Sequence, residues 1–458
     1  MHNKLKVSVT ALCVAITASQ VAHGGLFAVD TGDTAGNYLA ENGFFAAWYQ
    51  DTHGRTLDLC LSKNLSSRVP STPGAPSYMC SLLPNPGIFD DAQPLVFPTN
   101  FPDEAFWFTA DAEIVDAASG IDLSYGSALE AAFGGDVPAP NDQISFARVR
   151  IRVDVPSIGT YTVTHPYGVE IFEVTAEDFD TDGDRAINMT RDIGIGVPLT
   201  YTGALAGDVG PFLRSVNGPY TETDPDTGAA DTFIGDPNVL EPVTGSPFNT
   251  NYIRIEGPGG IDLSTDVFAI SGKLSTVVRP TPAMVERATY SRSDDSQGIV
   301  SAQQDVFVSA PPPPGKADYL DANGDEVVMS EADSTGHWYG QSTLNPSVPA
   351  TITVTADNSL AIASSTVTTV ASPLVDHVVI QKAEYSLSSG TLTVHASSSD
   401  EMTIPTLSVH NSDGDLIAPL SGGVMKTLTT NITPIPPAAI TVSSSNGGSD
   451  TEEVIILP

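Results

Sequence analysis

At 458 residues the chain has room for about two to four domains with cores of their own. Its 39 glycines and 35 prolines, set among abundant Val, Thr, Ile and Ser, disfavour long helices and suit short strands joined by tight turns. A net charge of -36, from 55 acidic against 19 basic residues, argues against nucleic acid and anionic lipid as partners, because both require a basic surface.

Residues 1–24 read as a signal peptide. Lys4 and Lys6 make a basic start, residues 7–17 form an apolar run too short to span a bilayer, and Ala22-His23-Gly24 places small residues for cleavage after Gly24. Cys13 leaves with that leader. Cys60 and Cys80 remain, an even number in an exported chain, and are expected to form a disulfide closing a loop rich in Ser and Pro. No later segment reaches the ~18 uninterrupted apolar residues of a membrane span, so no membrane insertion is expected after cleavage.

Strands are expected at residues 43–49 (GFFAAWY) and 105–109 (AFWFT), with Phe97-Pro98 and Phe101-Pro102 forcing an extended path before the second. The run SALEAAF at residues 127–133, stopped by Gly134-Gly135, predicts one short helix. The clearest pattern follows. Ala147, Val149, Ile151, Val153 and Val155 alternate with Arg148, Arg150 and Arg152, and period two means a strand with one buried face. Pro156 to Gly159 supply turn chemistry and Tyr161 and Val163 resume the alternation, which predicts a hairpin, with a third strand at residues 169–174. Further strands are expected at 186–189, 197–201, 251–255 and 266–274, between loops carrying Asn217-Gly218, Asp224-Pro225, Asp236-Pro237 and Gly257-Pro258. We group residues 25–278 as one large β-sandwich; the linker-like DVPAPNDQ at 136–143 leaves a division into two open.

The last third repeats itself. Ala288-Thr289-Tyr290-Ser291 matches Ala383-Glu384-Tyr385-Ser386 at an offset of 95 residues, and PATITV at 349–354 matches PAAITV at 437–442 at an offset of 88. Two tandem β-sandwich copies are expected, residues 283–372 and 373–458, each of the ~100-residue immunoglobulin-like size. The four prolines at 311–314 read as a stiff extended loop within the first copy. Through residues 283–458 the chain resembles the tandem Ig-like modules of bacterial surface and secreted proteins. The segments GTYTVTHPYGVE and EPVTGSPFNTNYIRIEGPGG are similar to a group of uncharacterised bacterial exported proteins. That resemblance implies an all-β sandwich fold and export, and it brings no catalytic or binding residue with it.

Asp178, Asp180, Asp182, Gly183 and Asp184 reproduce the front half of a calcium loop, in which alternate carboxylates converge on one hard cation. Counted from Asp178, the closing position holds Met189 where a bidentate Glu belongs, so Glu177, Asn188, Asp192 or water would complete the shell. The other reading is a solvated acidic turn in which Gly183 supplies backbone freedom. Asp321 to Glu326 and Asn411 to Asp415 are weaker relatives, read first as hairpin turns. Arg148, Arg150 and Arg152 could grip a carboxylate or sulfate on an acidic glycan; a cross-strand ladder with acids such as Glu170 or Glu173 is the simpler reading. Trp48, Tyr49, Phe106, Trp107 and Phe108 suit either a sugar-stacking platform or a buried core, of which we favour the core.

The remaining histidines, His53, His165, His337, His377, His395 and His410, are scattered singly, and no GxSxG, phosphate loop or GxGxxG is present. The sequence therefore predicts no catalytic residue and no required cofactor, with calcium as the one metal suggested. It describes an exported structural or adhesive protein whose repeats act as a stalk and whose partner is a glycan or surface protein. Two alternatives stand beside it: a secreted carbohydrate-active hydrolase, marked by an open cleft holding two carboxylates ~5 to 10 Å apart, and a matrix or filament subunit, marked by unpaired edge strands.

Overall fold

The computed structural model describes residues 25–72, 74–179, 185–295, 297–345 and 347–458, and all of its extended structure is β. Alternation builds its longest strands. In Gln143–Asp154 the side chains of Ala147, Val149, Ile151 and Val153 are buried, while Arg148, Arg150 and Arg152 lie on the opposite face.

Three sheets make up the N-terminal part. A seven-stranded sheet runs Arg214–Ser215, Glu241–Thr244, Val267–Ser271, Glu104–Asp116, Ile121–Phe133, Gln143–Asp154 and Ile187–Ile193. A four-stranded sheet is ordered Ile261–Thr265, Ile253–Gly257, Gly159–His165, Gly168–Val174. A six-stranded sheet joins Leu26–Val29, Trp48–Asp51 and Thr56–Asp58 to the short strands Lys273–Leu274, Ala230–Phe233 and Tyr220–Thr223. One apolar cluster unites them, with Trp107, Leu123, Ile151, Tyr161, Ile255 and Tyr49 all fully buried. Of the aromatic residues singled out in the sequence, Tyr49, Trp107 and Phe108 are inaccessible members of this core, while Trp48 and Phe106 are nearly buried outside it, Trp48 beneath Arg279 and Phe106 in the lining of a groove. A polar pin crosses this core, where the Tyr49 hydroxyl donates to the Tyr201 carbonyl at 2.7 Å and lies 2.8 Å from Ser145 Oγ.

Several local expectations are corrected. The strand expected at 43–49 begins only at Trp48, because Gly43 and Phe44 take left-handed backbone angles after the 3-10 turn Ala40–Asn42. The segment expected as a helix at 127–133 belongs to the strand Ile121–Phe133, paired on both sides with Glu104–Asp116 and Gln143–Asp154. The helix preference of Ala, Leu and Glu is worth only a few tenths of a kcal/mol per residue; two backbone ladders and the burial of Ile121, Leu123, Tyr125 and Leu129 outweigh it. The hairpin expected between 147–155 and 161–163 does not form. Gln143–Asp154 pairs with Ile121–Phe133 and Ile187–Ile193, whereas Gly159–His165 pairs with Gly168–Val174 and Ile253–Gly257 in the facing sheet. The turn carries the chain across the sandwich, and periodicity cannot register this because either arrangement buries Tyr161 and Val163. Residues 197–201 form no strand; the Thr200 N–H closes a turn onto the Val197 carbonyl and the chain enters the short 3-10 helix Thr202–Ala206. The arginine strand has other partners than expected, because its neighbours are Ile121–Phe133 and Ile187–Ile193.

The two C-terminal copies match strand for strand. The first has the sheets Ser330–Glu331, His337–Gln341, Val300–Ser309, Met284–Asp294, Val375–Asp376 and Glu326–Val328, Lys316–Leu320, Thr351–Asp357, Thr368–Pro373. The second repeats the order with Ser421–Gly422, Met425–Asn431, Thr391–Ser398, Val378–Ser386, Ile455–Leu457 and Leu416–Pro419, Leu407–His410, Ala439–Ser444, Ser449–Glu453. The matched tetrapeptides lie in the first strand of each copy, and each of those strands carries a bulge, at Val285/Arg287 and at Ile380/Lys382. The polar loops are hairpin turns of one design. Asp321 Oδ1 accepts the N–H groups of Asn323 and Asp325, and Asn411 Oδ1 those of Asp413 and Asp415. Each copy has its own apolar cluster, around Val306, Tyr319 and Val354 and around Leu392, Val409 and Val442.

Both junctions are tied by specific bonds. Between the six-stranded sheet and the first copy, His53 Nε2 donates to the Thr335 carbonyl at 3.2 Å and Asn358 Nδ2 donates to the His53 carbonyl at 3.1 Å. Between the copies, the Arg292 guanidinium donates to Asp400 through Nε at 3.2 Å and Nη2 at 2.6 Å, and Tyr290 and Asn446 add bonds to the same carboxylate. Burial works against the charge on Asp400, but the bonds from Arg292 and Thr403 hold it well below the usual carboxylate range. Val375–Asp376 closes a sheet of the first copy, so the boundary expected between 372 and 373 falls instead just before Val378; Asp376 is gripped by Ser398 Oγ and the Gly448 N–H of the second copy.

Candidate functional site: an arginine-bearing groove

The outward face of the seven-stranded sheet is hollowed into a groove of about 350 Å³, floored by Glu104–Asp116, Ile121–Phe133 and Gln143–Asp154. Ser81 and Leu83, just past the disulfide, form one wall, and the Ser81 hydroxyl lies 3.3 Å from that of Thr109. The Cys60–Cys80 disulfide forms as expected and sits in a small apolar cluster with Met79, Leu82, Phe89 and Phe233, so it fixes that wall.

The three arginines differ in their bonding. Arg148 is fully engaged: Nη1 donates to both oxygens of Glu130 at 3.2 and 3.0 Å, and Nε and Nη2 donate to Asp192 at 2.7 and 2.9 Å. The ladder exists, but its acids are Glu130 and Asp192 rather than Glu170 or Glu173. Register explains the change, because Gln143–Asp154 lies between Ile121–Phe133 and Ile187–Ile193, not beside Gly168–Val174. Glu170 instead pairs with Arg191 at 2.6 Å, and Glu173 accepts from Thr160. The His165 imidazole, 3.8 Å away, and the bond from Arg191 lower the Glu170 pKa to about 2. Arg150 makes one bond, from Nε to Thr190 Oγ1 at 3.2 Å, and the Arg152 guanidinium makes none among the described residues. Desolvation and the flanking charges of Arg148 and Arg152 hold Arg150 below the usual arginine range.

Two acids complete the face. Glu130 is nearly inaccessible, and burial pushes its carboxyl up to about 8 in spite of Arg148. Asp111 stands opposite Gly126, where a Cβ would lie 3.0 Å from its Oδ1, so the glycine makes room for the carboxylate. Desolvation, then the charge of Glu113, raises Asp111 above its ordinary pKa. The sequence does not single out Glu130, and it offers Asp192 to the calcium shell where the structure gives it to Arg148; the outward phase of Glu130 becomes legible only once the segment around it is recognised as a strand.

Asp178 accepts from the Thr175 N–H at 2.6 Å and the Thr175 hydroxyl at 2.9 Å, an arrangement that lowers its pKa and closes the short 3-10 helix Ala176–Phe179. Asp180, Asp182, Gly183 and Asp184 lie outside the described residues, so of the carboxylates expected to hold calcium only Asp178 is described. Among the described residues no group of three or more His, Cys, Asp or Glu side chains is arranged to hold a metal ion. Among the same residues no helix is long and apolar enough to cross a membrane.

No family model matches the chain, and no curated protein matches it. Among solved structures it is similar to a chimeric titin Z1Z2 tandem, with 15% identity, 39% of this chain and 100% of that one covered, and a TM-score of 0.18. It is similar also to a 1.5-MDa bacterial ice-binding adhesin, with 9% identity, 68% and 91% covered and a TM-score of 0.14. The BSP domain of a biofilm-associated protein gives 9% identity, 75% and 76% covered and a TM-score of 0.18. At such scores these likenesses carry no argument, and the fold assignment rests on the sheets themselves.

Proposed function

We propose that the chain is a non-catalytic exported protein of the cell surface or extracellular space, with a structural or adhesive role in which the two copies form a stalk and the N-terminal sandwich presents a binding face. The observation that carries this reading is the joint between the copies. Arg292, Asp400, Tyr290, Asn446, Asp376 and Ser398 make a bonded seam where a flexible linker would serve a chain of independent modules, and a seam of that type sets a fixed direction for whatever the far end presents. The binding face is the groove, where Arg150 and Arg152 retain donor capacity for a carboxylate or sulfate of an acidic glycan or a surface protein. Calcium bound through Asp178, Asp180, Asp182 and Asp184 would brace the loop leading into Ile187–Ile193, the neighbour of the arginine strand.

Glycan-array binding by residues 25–458, run with calcium and with a chelator, tests both parts. Binding of acidic glycans that is lost in an R150Q/R152Q variant is expected; dependence on calcium would add the Asp loop to the site. Absence of binding in both conditions removes the glycan reading and leaves a purely structural role.

One observation favours the hydrolase as second reading. Asp111 and Glu113 point outward two residues apart on one strand, roughly 7 Å by strand rise, within the span of paired catalytic carboxylates, and Asp111 is the member with the raised pKa. Glu130 does not serve in that pair, because it lies four residues beyond the partner of Asp111, roughly 13 Å along the strand, and is held by Arg148. Release of reducing ends from polysaccharide by the wild type, abolished in D111N, would establish this activity.

A further inference from the structure

A second cavity, of about 450 Å³, lies where the six-stranded sheet meets the first copy. Arg55, Arg214 and Arg279 line it, three of only 19 cationic side chains in a chain of net charge -36, and Ile362 and Ser364 of the first copy close the other side. None of the three guanidinium groups makes a salt bridge or hydrogen bond among the described residues. Arg279 lies over the Trp48 ring, 3.5 Å from its centroid, and its buried Nε has no partner.

Carboxylates lie near the three guanidinium groups, Asp51 by Arg55 and Arg214 and Asp30 and Asp58 by Arg279, but among the described residues none makes a salt bridge or hydrogen bond to them. Asp51 accepts the Arg55 N–H on one oxygen at 2.7 Å and the Phe212 N–H on the other at 2.9 Å, and Asp231, also in the lining, pairs with Lys273 at 3.1 Å. Burial lowers the pKa of all three arginines, on Arg214 with the charge of Arg55 adding to it, and the nearby charges of Asp51, Asp30 and Asp58 offset this only in part. Withdrawing a guanidinium from water without a partner is unfavourable, and bringing like charges to one cavity compounds the cost. The arrangement makes physical sense when the missing partner is an oxyanion from outside, because the guanidinium fork matches carboxylate and sulfate geometry. The cavity is within the size range of small-molecule sites.

We propose that this cavity binds a sugar-sized ligand carrying one oxyanion group, a carboxylate or a sulfate. The proposal concerns a different surface from the groove and stands whether or not the chain is an adhesin.

Isothermal titration of residues 25–458 with glucuronate, glucose 6-sulfate and uncharged glucose tests it. Saturable binding of one or both charged sugars, none of glucose, and weakening as salt is raised are expected. Which charged sugar binds distinguishes carboxylate from sulfate as the recognised group. R214Q should weaken binding at least tenfold with its melting temperature unchanged or raised, because an unpaired part-buried charge has been removed. S364W, at an exposed position on the opposite wall, should block the cavity without touching an arginine. Binding of neither charged sugar by the wild type, or wild-type affinity in both variants, would overturn the proposal.

Discussion

Replacing His53 by glutamine should change the pH dependence of stability in a defined direction. His53 is buried at the junction with the first copy, and burial lowers its pKa from 6.5 to about 4. A histidine depressed on folding contributes stability that is complete above 6.5 and lost as pH falls toward 4, a difference of about 3 kcal/mol at ~1.4 kcal/mol per unit. Asp51, two residues earlier and fully buried, runs the other way. Burial raises it from 3.8 to about 6, so its contribution is complete below 3.8 and lost as pH rises through 6, again about 3 kcal/mol. In the native chain the two slopes oppose each other across nearly the same window. H53Q should therefore lose about 3 kcal/mol relative to wild type between pH 4 and 6.5 on the alkaline side, and D51N about the same on the acid side. D51N will also carry a constant penalty, because an amide cannot accept both the Arg55 and Phe212 N–H groups. Urea denaturation at closely spaced pH values, followed by the fluorescence of Trp48, Trp107 and Trp338, gives the differences directly. Variant-minus-wild-type differences that stay constant from pH 4 to 7 would refute the reasoning.

Three further outcomes are expected. R292A leaves the buried Asp400 carboxylate without its counter-charge, though still bonded by Tyr290, Thr403 and Asn446, and should destabilise the second junction by about 3 kcal/mol, with small-angle scattering showing a wider spread of lengths; unchanged scattering would mean that other contacts fix the joint. Replacing both Cys60 and Cys80 by alanine opens a loop of 20 residues and should lower stability by about 3 kcal/mol in urea, and groove binding should fall because the Ser81 wall loosens. Y49F removes the buried bond to the Tyr201 carbonyl and should cost about 1 to 2 kcal/mol, read as a lower urea midpoint at unchanged slope.

The repeat was the most legible feature in the sequence, because the matched residues are those that alternate inward in the first strand and in the strand across the sandwich: Tyr290 and Tyr385, Val354 and Val442. Buried-face periodicity likewise located Gln143–Asp154. What periodicity does not carry is the identity of the neighbouring strand. The partners of Arg148 sit 18 residues before it and 44 after it, and nothing local points to Glu130 or Asp192. The arginine cavity is harder still, since Arg55, Arg214 and Arg279 reach one place only through three separate strands and loops. Polar turns were readable as turns, because an Asx side chain bonding its own backbone is a local event.

Each copy closes with a strand running parallel to its first: Val375–Asp376 beside Thr289 and Tyr290, and Ile455–Leu457 beside Glu384 to Ser386. Tension along the chain pulls those two strands past each other rather than peeling them apart, so all the hydrogen bonds between them share the load and must break together. The first copy has two register pairs in this clasp and the second has three. Stretched from its ends, the molecule should yield first in the copy nearer the N-terminal sandwich, and two extra paired residues beside Val375–Asp376 would be the simplest way to make it hold.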